Sequence, residues 1–336
     1  MKLTPGKLAG LKSVSNARGV IAAAAMDQRG SLQKSIAKER GTPATGQDLE
    51  TFKTLVTDVL CQHASAILLD PEYGLPASKH RHGKGLLLAY EKTGYDAQTA
   101  GRLPDLLDVW SVRRLKEAGA DCIKILLYYT PFEKSAINDL KQAWIERIGD
   151  ECLAHDIPFF LEFVGYDAEG GNEKSVEYAK KKPSIVSGAM SEFGKARYNV
   201  DVLKVEVPIV MEYVAGTKAN NGGPSAYTRA EALQHFRDAE SVTHKPFIYL
   251  SAGVSNPVFI ETLELAGESG TKFNGVLCGR ATWKDGIAIY AKQGEAAFRT
   301  WLETTGVENI KNVNEALEAA SPWFLKFGVK SVEELG

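Results

Sequence analysis

Eight short apolar runs, separated by stretches with helical spacing, predict an α/β protein that forms a (β/α)8 TIM barrel with a C-terminal helical extension. No linker rich in Pro, Gly or Ser divides the chain, so we expect residues 1–336 to form a single barrel domain. An open, doubly wound sheet is the alternative. It is disfavoured because no GxGxxG motif follows the first run, where a dinucleotide-binding sheet usually carries one.

The eight runs are nearly continuous in apolarity and rich in β-branched residues, which indicates parallel strands covered by helices on the outside. In chain order they span residues 20–26, 64–69, 85–90, 121–127, 157–163, 201–207, 246–250 and 275–278. The second and third runs are so close that the helix between them must be short.

Helical spacing of apolar residues predicts six helices between the strands and two after them. The six cover residues 47–62, 103–117, 139–155, 176–193, 228–240 and 257–266. The two that follow, at 294–304 and 313–327, predict a closing helix and a C-terminal extension.

Charge and composition exclude several classes of protein. The formal net charge of −2 gives no bulk attraction to nucleic acid or to an anionic membrane, so any anion site must be local. Without a signal peptide or a membrane span, we expect the cytoplasm. The four isolated cysteines are expected as buried thiols, namely Cys61, Cys122, Cys152 and Cys278. Whether the chain forms a homo-oligomer is left open.

Ionisable side chains occur on strands where a barrel should be apolar. Because side chains alternate along a strand, Val202, Lys204 and Glu206 share one face of the sixth run, and its other face is apolar. Lys204 is therefore expected to point into the barrel, as are Lys124 on the fourth strand and Glu162 on the fifth. Each alone could be a solvated strand-end charge, but three on neighbouring strands indicate function because burying charge is costly.

Two lysines beside a carboxylate suit amine catalysis on a ketone. A lysine at its usual pKa of about 10.4 is protonated and not nucleophilic, whereas a second ammonium and partial burial lower that pKa. Glu162 could carry protons during carbinolamine dehydration and carbon–carbon cleavage. This reasoning leaves open which lysine is the nucleophile.

A phosphate site is expected after the last two strands. The segment Ser251-Ala252-Gly253 follows the seventh strand and Gly279-Arg280 follows the eighth, where barrels commonly bind phosphate through backbone N–H groups and a cation. Either segment alone could be a simple turn or a surface cation. Their joint occurrence favours phosphate.

These residues lie in motifs through which the chain, from about residue 3 to 327, resembles the class I tagatose 1,6-bisphosphate aldolases. The motifs are AMDQRG at 25–30, LLDPEYG at 68–74, CIKIL at 122–126, FLEF at 160–163, VLKVEVP at 202–208, LSAGV at 250–254 and GVLCGR at 275–280. Residues 166–172 depart from the family's sequence.

The resemblance implies reversible cleavage of tagatose 1,6-bisphosphate to dihydroxyacetone phosphate and glyceraldehyde 3-phosphate, with no metal or other cofactor. Lys204 matches the Schiff-base lysine, Glu162 the acid/base glutamate and Lys124 the second active-site lysine. Asp27 and Gln28 match the pair that lines the pocket. The phosphate-binding positions match the two segments above, through Ser251, Gly253 and Arg280 with their neighbours Ala252 and Gly279.

A second phosphate lies at the end of the substrate away from the ketone, and no motif assigns a residue to bind it. The candidates to bind a second phosphate are Arg29, Lys79, His80, Arg81, His82 and Lys84, although such a charge run is more often a solvated loop. The two contacts expected at the ketone end are the Schiff base on Lys204 and the bound C1 phosphate, and neither depends on the configuration at C4. We therefore expect cleavage of fructose 1,6-bisphosphate as well. Relatives that split 6-deoxy-6-sulfofructose 1-phosphate share the lysine chemistry and define an alternative substrate.

Two other classes of function compete with this interpretation. A metal-dependent class II aldolase needs several histidine ligands, but only His80 and His82 of the six histidines are close in sequence. A non-catalytic sugar-phosphate sensor would keep the pocket. It would have no use for a nucleophilic lysine.

Overall fold

The computed structural model describes residues 2–92 and 99–336, and in them eight parallel strands close into a barrel. Each strand pairs with the next, and the first pairs with the last. The strands are β1 Ile21–Met26, β2 Ala66–Leu69, β3 Gly85–Ala89, β4 Cys122–Tyr128, β5 Phe159–Val164, β6 Val202–Val205, β7 Phe247–Tyr249 and β8 Gly275–Cys278. All eight predicted strands, and with them the barrel, are confirmed.

Helices surround the barrel and continue beyond β8. They are α1 Pro5–Ser13, α2 Gly30–Arg40, α3 Gly46–Leu60, α4 Leu75–Ser78, α5 Val112–Glu117, α6 Ser135–Ala154, α7 Val176–Phe193, α8 Arg229–Ser241, α9 Asn256–Glu268, α10 Arg280–Trp283, α11 Gly286–Gln293, α12 Glu295–Trp301 and α13 Val307–Ala316. Five of the six predicted inter-strand helices are confirmed within a few residues, and α4 is the short helix expected before β3. The C-terminal helical extension is also confirmed.

The predicted helix at 103–117 is wrong in its first half, since only Val112–Glu117 is helical. Pro104 disfavours helical backbone at the residue before it, and Leu106 instead forms an isolated bridge with Glu91. The helix begins after Ser111, whose side chain accepts a hydrogen bond from the N–H of Arg114.

The predicted helix at 313–327 is also misplaced. A π-helical turn at Leu302–Gly306 joins α12 to α13, so the backbone stays helical through Gly306. The helix α13 then ends at Ala316, well before the predicted end at residue 327. Pro322 then separates it from a short 3-10 helix at Trp323–Phe327.

Strand alternation sorts the core into two layers. Inward side chains fill the barrel and outward side chains pack beneath the helices; Val202 belongs to the first layer and its neighbour Leu203 to the second. The inner layer is extended at the amino-terminal end of the barrel by Leu11 of α1, by Val14 just after it, and by Trp323 and Leu335 of the C-terminal tail. Both ends of the chain therefore close the barrel floor and leave the carboxyl ends of the strands for a site.

All four cysteines are buried and free, as expected. Among the helices of the described ranges, none is long and apolar enough to cross a membrane.

Candidate active site

A cavity of about 500 Å³ opens at the carboxyl ends of the strands. Its lining comes from β1, β4, β5, β6 and β8 and from segments that follow strands, including those after β3 and β7. All the predicted site residues except Lys124 line it: Asp27, Gln28, Glu162, Lys204, Ser251, Ala252, Gly253, Gly279 and Arg280. Lys124 is fully buried beside the cavity, in contact with Asp27 and Glu162.

Glu162 lies between the two lysines. Its Oε2 is 2.8 Å from the Nζ of Lys204 and 2.8 Å from the Nζ of Lys124. Strand register accounts for the first contact, because Glu162 of β5 is paired directly with Lys204 of β6. The three residues are almost completely buried, with 6% of Glu162, 3% of Lys204 and 0% of Lys124 exposed. The structure thus brings together the predicted cluster.

Lys124 is surrounded by carboxylates. Besides Glu162, its Nζ is 2.9 Å from Oδ2 of Asp27 and donates to Oε1 of Glu91 at 2.8 Å. Burial disfavours the Lys124 ammonium, but Asp27, Glu162 and Glu91 outweigh it and raise the pKa of Lys124 well above its usual value. Lys124 is therefore held as a cation, which is not a nucleophile.

The pKa values of the three carboxylates around Lys124 are shifted in different directions. Burial opposes the charge of Asp27 and Glu162, yet Lys124 and Lys204 hold the pKa of both below the usual range. At Glu91 burial prevails over Lys124 and Arg29, and the pKa is raised. Of the three carboxylates, Glu91 is therefore the one that holds a proton more readily than usual.

Sequence reasoning missed Glu91. It lies two residues after the end of β3, and strand alternation places it on the same face as Leu87 and Ala89, so extending the predicted strand 85–90 by one residue would have pointed it at Lys124. Its backbone carbonyl accepts a hydrogen bond from Nη2 of Arg29 at 2.7 Å.

The predicted phosphate segments meet at one side of the cavity. Ala252 and Gly253 have left-handed backbone, with φ of 47° and 79°, and the N–H of Val254 donates to the carbonyl of Ser251 in a tight turn. A Cβ on Gly253 would lie 2.9 Å from Cζ of Arg280, so the guanidinium packs directly on this glycine. A backbone turn and an exposed cation therefore face the same space.

The residues predicted as candidates to bind a second phosphate lie in two different parts of the barrel. Residues 79–84 connect α4 to the start of β3, at the opposite end of the barrel from the cavity, and are not near the cluster. Arg29 does line the cavity, but it is 3% exposed and its Nη1 contacts Oε2 of Glu72 at 2.6 Å. Sequence reasoning missed Ser31 and Lys34 of α2, which also line the cavity.

No cluster of three or more His, Cys, Asp or Glu side chains in the described ranges could hold a metal ion.

A (β/α)8 barrel with a lysine–carboxylate cluster at the carboxyl ends of its strands defines the class of protein, a class I aldolase, which is a carbon–carbon lyase. The chain belongs to the DeoC/LacD family of aldolases, whose family model matches residues 21–285.

Relatives at high identity are similar over almost the whole chain. One is the tagatose 1,6-diphosphate aldolase of Listeria monocytogenes serotype 4a (strain HCC23), 52% identical, with 98% of this chain and 96% of the relative covered. Another is the enzyme of the same name from Staphylococcus haemolyticus (strain JCSC1435), 53% identical, covering 95% and 98%. Among solved structures, a fructose-bisphosphate aldolase from Plasmodium falciparum has a similar fold, with a TM-score of 0.66 at 15% identity over 96% of this chain and 97% of that one.

Proposed function

We propose that this chain reversibly cleaves tagatose 1,6-bisphosphate to dihydroxyacetone phosphate and glyceraldehyde 3-phosphate through a Schiff base on Lys204. The observation that carries the proposal is the unequal setting of the two lysines that share Glu162. Lys124 is enclosed by three carboxylates and Lys204 lines the cavity. The name shared by the relatives of about 52% identity supports the substrate.

The first half of the reaction uses Glu162 as a proton carrier. Transfer of a proton from Nζ of Lys204 to Oε2 of Glu162, 2.8 Å away, frees the lone pair that attacks the C2 carbonyl. The carbinolamine hydroxyl leaves as water with a proton returned by Glu162, and a protonated imine remains.

Cleavage then follows from the imine as electron sink. Glu162 accepts the proton of the C4 hydroxyl, the C3–C4 bond breaks, and its electrons move into the iminium to give an enamine as the aldehyde departs. Protonation at C3 and hydrolysis release the second product and restore Lys204. Lys124, held as a cation beside Glu162 and Asp27, stabilises negative charge in this sequence without exchanging its proton.

The two phosphates are assigned to two different groups of residues in the cavity lining. The ketone-end phosphate binds at the turn of Ser251, Ala252 and Gly253 with Gly279 and Arg280, where backbone N–H groups and a guanidinium are available. The second phosphate lies towards Ser31 and Lys34, since Lys34 has no ion pair among the residues described.

Steady-state kinetics test this function. We expect cleavage of tagatose and fructose 1,6-bisphosphates, because the contacts assigned at the ketone end do not depend on the configuration at C4, and weaker activity on ketoses without the C1 phosphate. Activity should persist in a strong chelator, because the proposed chemistry uses no metal or other cofactor. A kcat/KM for 6-deoxy-6-sulfofructose 1-phosphate far above both bisphosphates would overturn the substrate. Sugar phosphate binding without turnover would instead indicate a sensor.

A cytoplasmic enzyme with this substrate as its partner, rather than a nucleic acid or a membrane, fits the near-neutral charge. We also propose that residues 1–336 act as one domain. Sedimentation would determine whether they assemble as a homo-oligomer.

A further inference from the structure

A fully buried lysine outside the cavity contacts the chain on both sides of Asp27. Lys53 of α3 is 0% exposed, and its Nζ donates to the carbonyl of Met26 at 2.6 Å and to the carbonyl of Gln28 at 2.8 Å. The third partner of the ammonium is the carboxylate of Asp70, which directly follows β2. All three N–H groups of the ammonium are therefore used.

Packing alone does not explain an ammonium at this position. Lys53 lies on the buried face of α3 with Leu49, Phe52 and Val56, where an apolar side chain would fill the same space without burying a charge. Its partners explain it better, because Met26 and Gln28 are the residues immediately before and after Asp27. A single group thus fixes the two peptide carbonyls that flank a carboxylate of the cluster.

Asp27 links the Lys53 contacts to the proposed catalytic centre. Oδ2 of Asp27 is 2.9 Å from Nζ of Lys124, and Nζ of Lys124 is 2.8 Å from Oε2 of Glu162. Burial lowers the pKa of Lys53, whereas the charges of Asp70 and Asp27 oppose that shift. A small rotation of the β1–α2 turn would move Asp27 away from Lys124 and alter the setting of Glu162.

We propose that Lys53, held by Asp70, is a positioning residue for the reaction, which aims Asp27 at Lys124 by binding the carbonyls of Met26 and Gln28. It acts through Asp27 and does not touch the substrate. A displacement of about 1 Å at a reacting group can reduce turnover by about a hundredfold, so the expected effect is on kcat.

The chain offers a matched control at the other end of the barrel. Lys7 and Asp201 form a second buried pair, at 2.9 Å, and Asp201 accepts a hydrogen bond from the N–H of Phe159 just as Asp70 accepts one from the N–H of Tyr73. The double variants K53M/D70N and K7M/D201N each remove one buried pair without leaving an unpaired charge. Both are expected to lower Tm.

The reaction itself is the one proposed above, so the experiment must separate the two possible failures. Borohydride reduction with dihydroxyacetone phosphate counts competent sites, and kcat is expressed per trapped site. K53M/D70N should lose about a hundredfold in kcat with KM near the wild-type value, whereas K7M/D201N keeps its kcat per trapped site. Absence of trapping in the wild-type chain would refute the proposed function.

Equal kcat per trapped site in the two double variants would overturn the positioning role. If K53M/D70N does not fold, Lys53→Gln is the second variant, because its amide keeps two of the three donors at shorter reach. It is expected to lose part of the kcat at unchanged KM. Wild-type kcat per trapped site in a Lys53→Gln protein of lowered Tm would show that Lys53 is only structural.

Discussion

At the scale of single residues, the roles of the two lysines follow from what surrounds each ammonium. Lys124 contacts Asp27, Glu91 and Glu162, and Lys204 contacts Glu162 alone among the ionisable groups of the described chain. The carboxylate between them can pass a proton to one lysine while the other stays charged. Strand alternation predicted both lysines and Glu162, but an isolated strand pattern carries no information on how many anions meet one cation.

Glu162→Gln should fold and bind substrate but lose about 10²–10⁴-fold in kcat, because the amide cannot accept or return a proton. Single-turnover kinetics check this, since binding and chemistry are then measured separately. A Glu162→Gln enzyme with near-normal turnover would remove Glu162 from the mechanism.

Glu91→Gln should change how stability depends on pH. Burial raises the pKa of Glu91, so the native state holds this proton more tightly than the unfolded chain. The stabilising contribution of the group is complete below its ordinary pKa of 4.5 and is lost as the pH rises through the raised value. The Tm of Glu91→Gln relative to wild type should therefore increase from pH 4.5 to neutral pH.

The control for that measurement is Glu117→Gln, because the Glu117 side chain is 62% exposed and its ion pair with Arg113 is a surface pair, which contributes little to stability. Its Tm difference from wild type is expected to stay constant over the same range. A Tm difference for Glu91→Gln that falls with rising pH would show that Lys124 and Arg29 dominate over burial at this carboxyl.

At the scale of elements, the proposed phosphate turn after β7 depends on left-handed backbone, which glycine adopts most easily. Gly253 combines a φ of 79° with close contact to the guanidinium of Arg280. Gly253→Ala should raise KM about 10- to 100-fold, because displacing a hydrogen bond to a charged group costs about 1.5–3 kcal/mol.

Gly83→Ala separates backbone strain from that contact. Gly83 has a similar φ of 74°, but a Cβ there would meet nothing within 4 Å. Both variants should lose about 1 kcal/mol of stability, whereas only Gly253→Ala should change KM. Equal KM values for the two variants would contradict the assignment of this turn to phosphate.

Sequence patterns predicted the strands better than the helices that follow them. A short, nearly continuous apolar run can be buried in a barrel only as a strand. The apolar residues of 103–117, in contrast, begin as an irregular segment, and only the Ser111 cap marks where α5 begins. The five candidates for the second phosphate at residues 79–84 lie at the other end of the barrel for a related reason. A charge run shows where cations are, whereas the end of the barrel on which a loop lies depends on which helix and strand it connects.

At the scale of the whole molecule, the chain closes one end of the barrel with its own termini and leaves the other for chemistry. The inner layer of side chains is continued by Trp323 and Leu335 from the tail, by Leu11 of α1 and by Val14 just after that helix. None of these contacts was predictable from strand or helix spacing, because they join segments near the two ends of the chain to the strands of the barrel. They are long-range packing, which single-sequence patterns do not encode.

Trp323→Ala should lower the free energy of unfolding by about 3–5 kcal/mol, because a fully buried indole leaves a cavity at the barrel floor. Chemical denaturation measures this loss, and kcat per trapped site should stay near wild type below the melting transition. Leu325→Ala is the control, since Leu325 lies in the same 3-10 helix and is 48% exposed. Its loss should stay within about 0.5 kcal/mol.

The most direct test of the central claim is the position of the covalent adduct. Dihydroxyacetone phosphate is added, the imine is reduced with borohydride, and the modified peptide is identified by mass spectrometry. The adduct is predicted on Lys204, and Lys204→Ala should abolish both the adduct and cleavage while the fold is retained. An adduct on Lys124, or cleavage by Lys204→Ala at the wild-type rate, would contradict the assignment of Lys204 as the nucleophile.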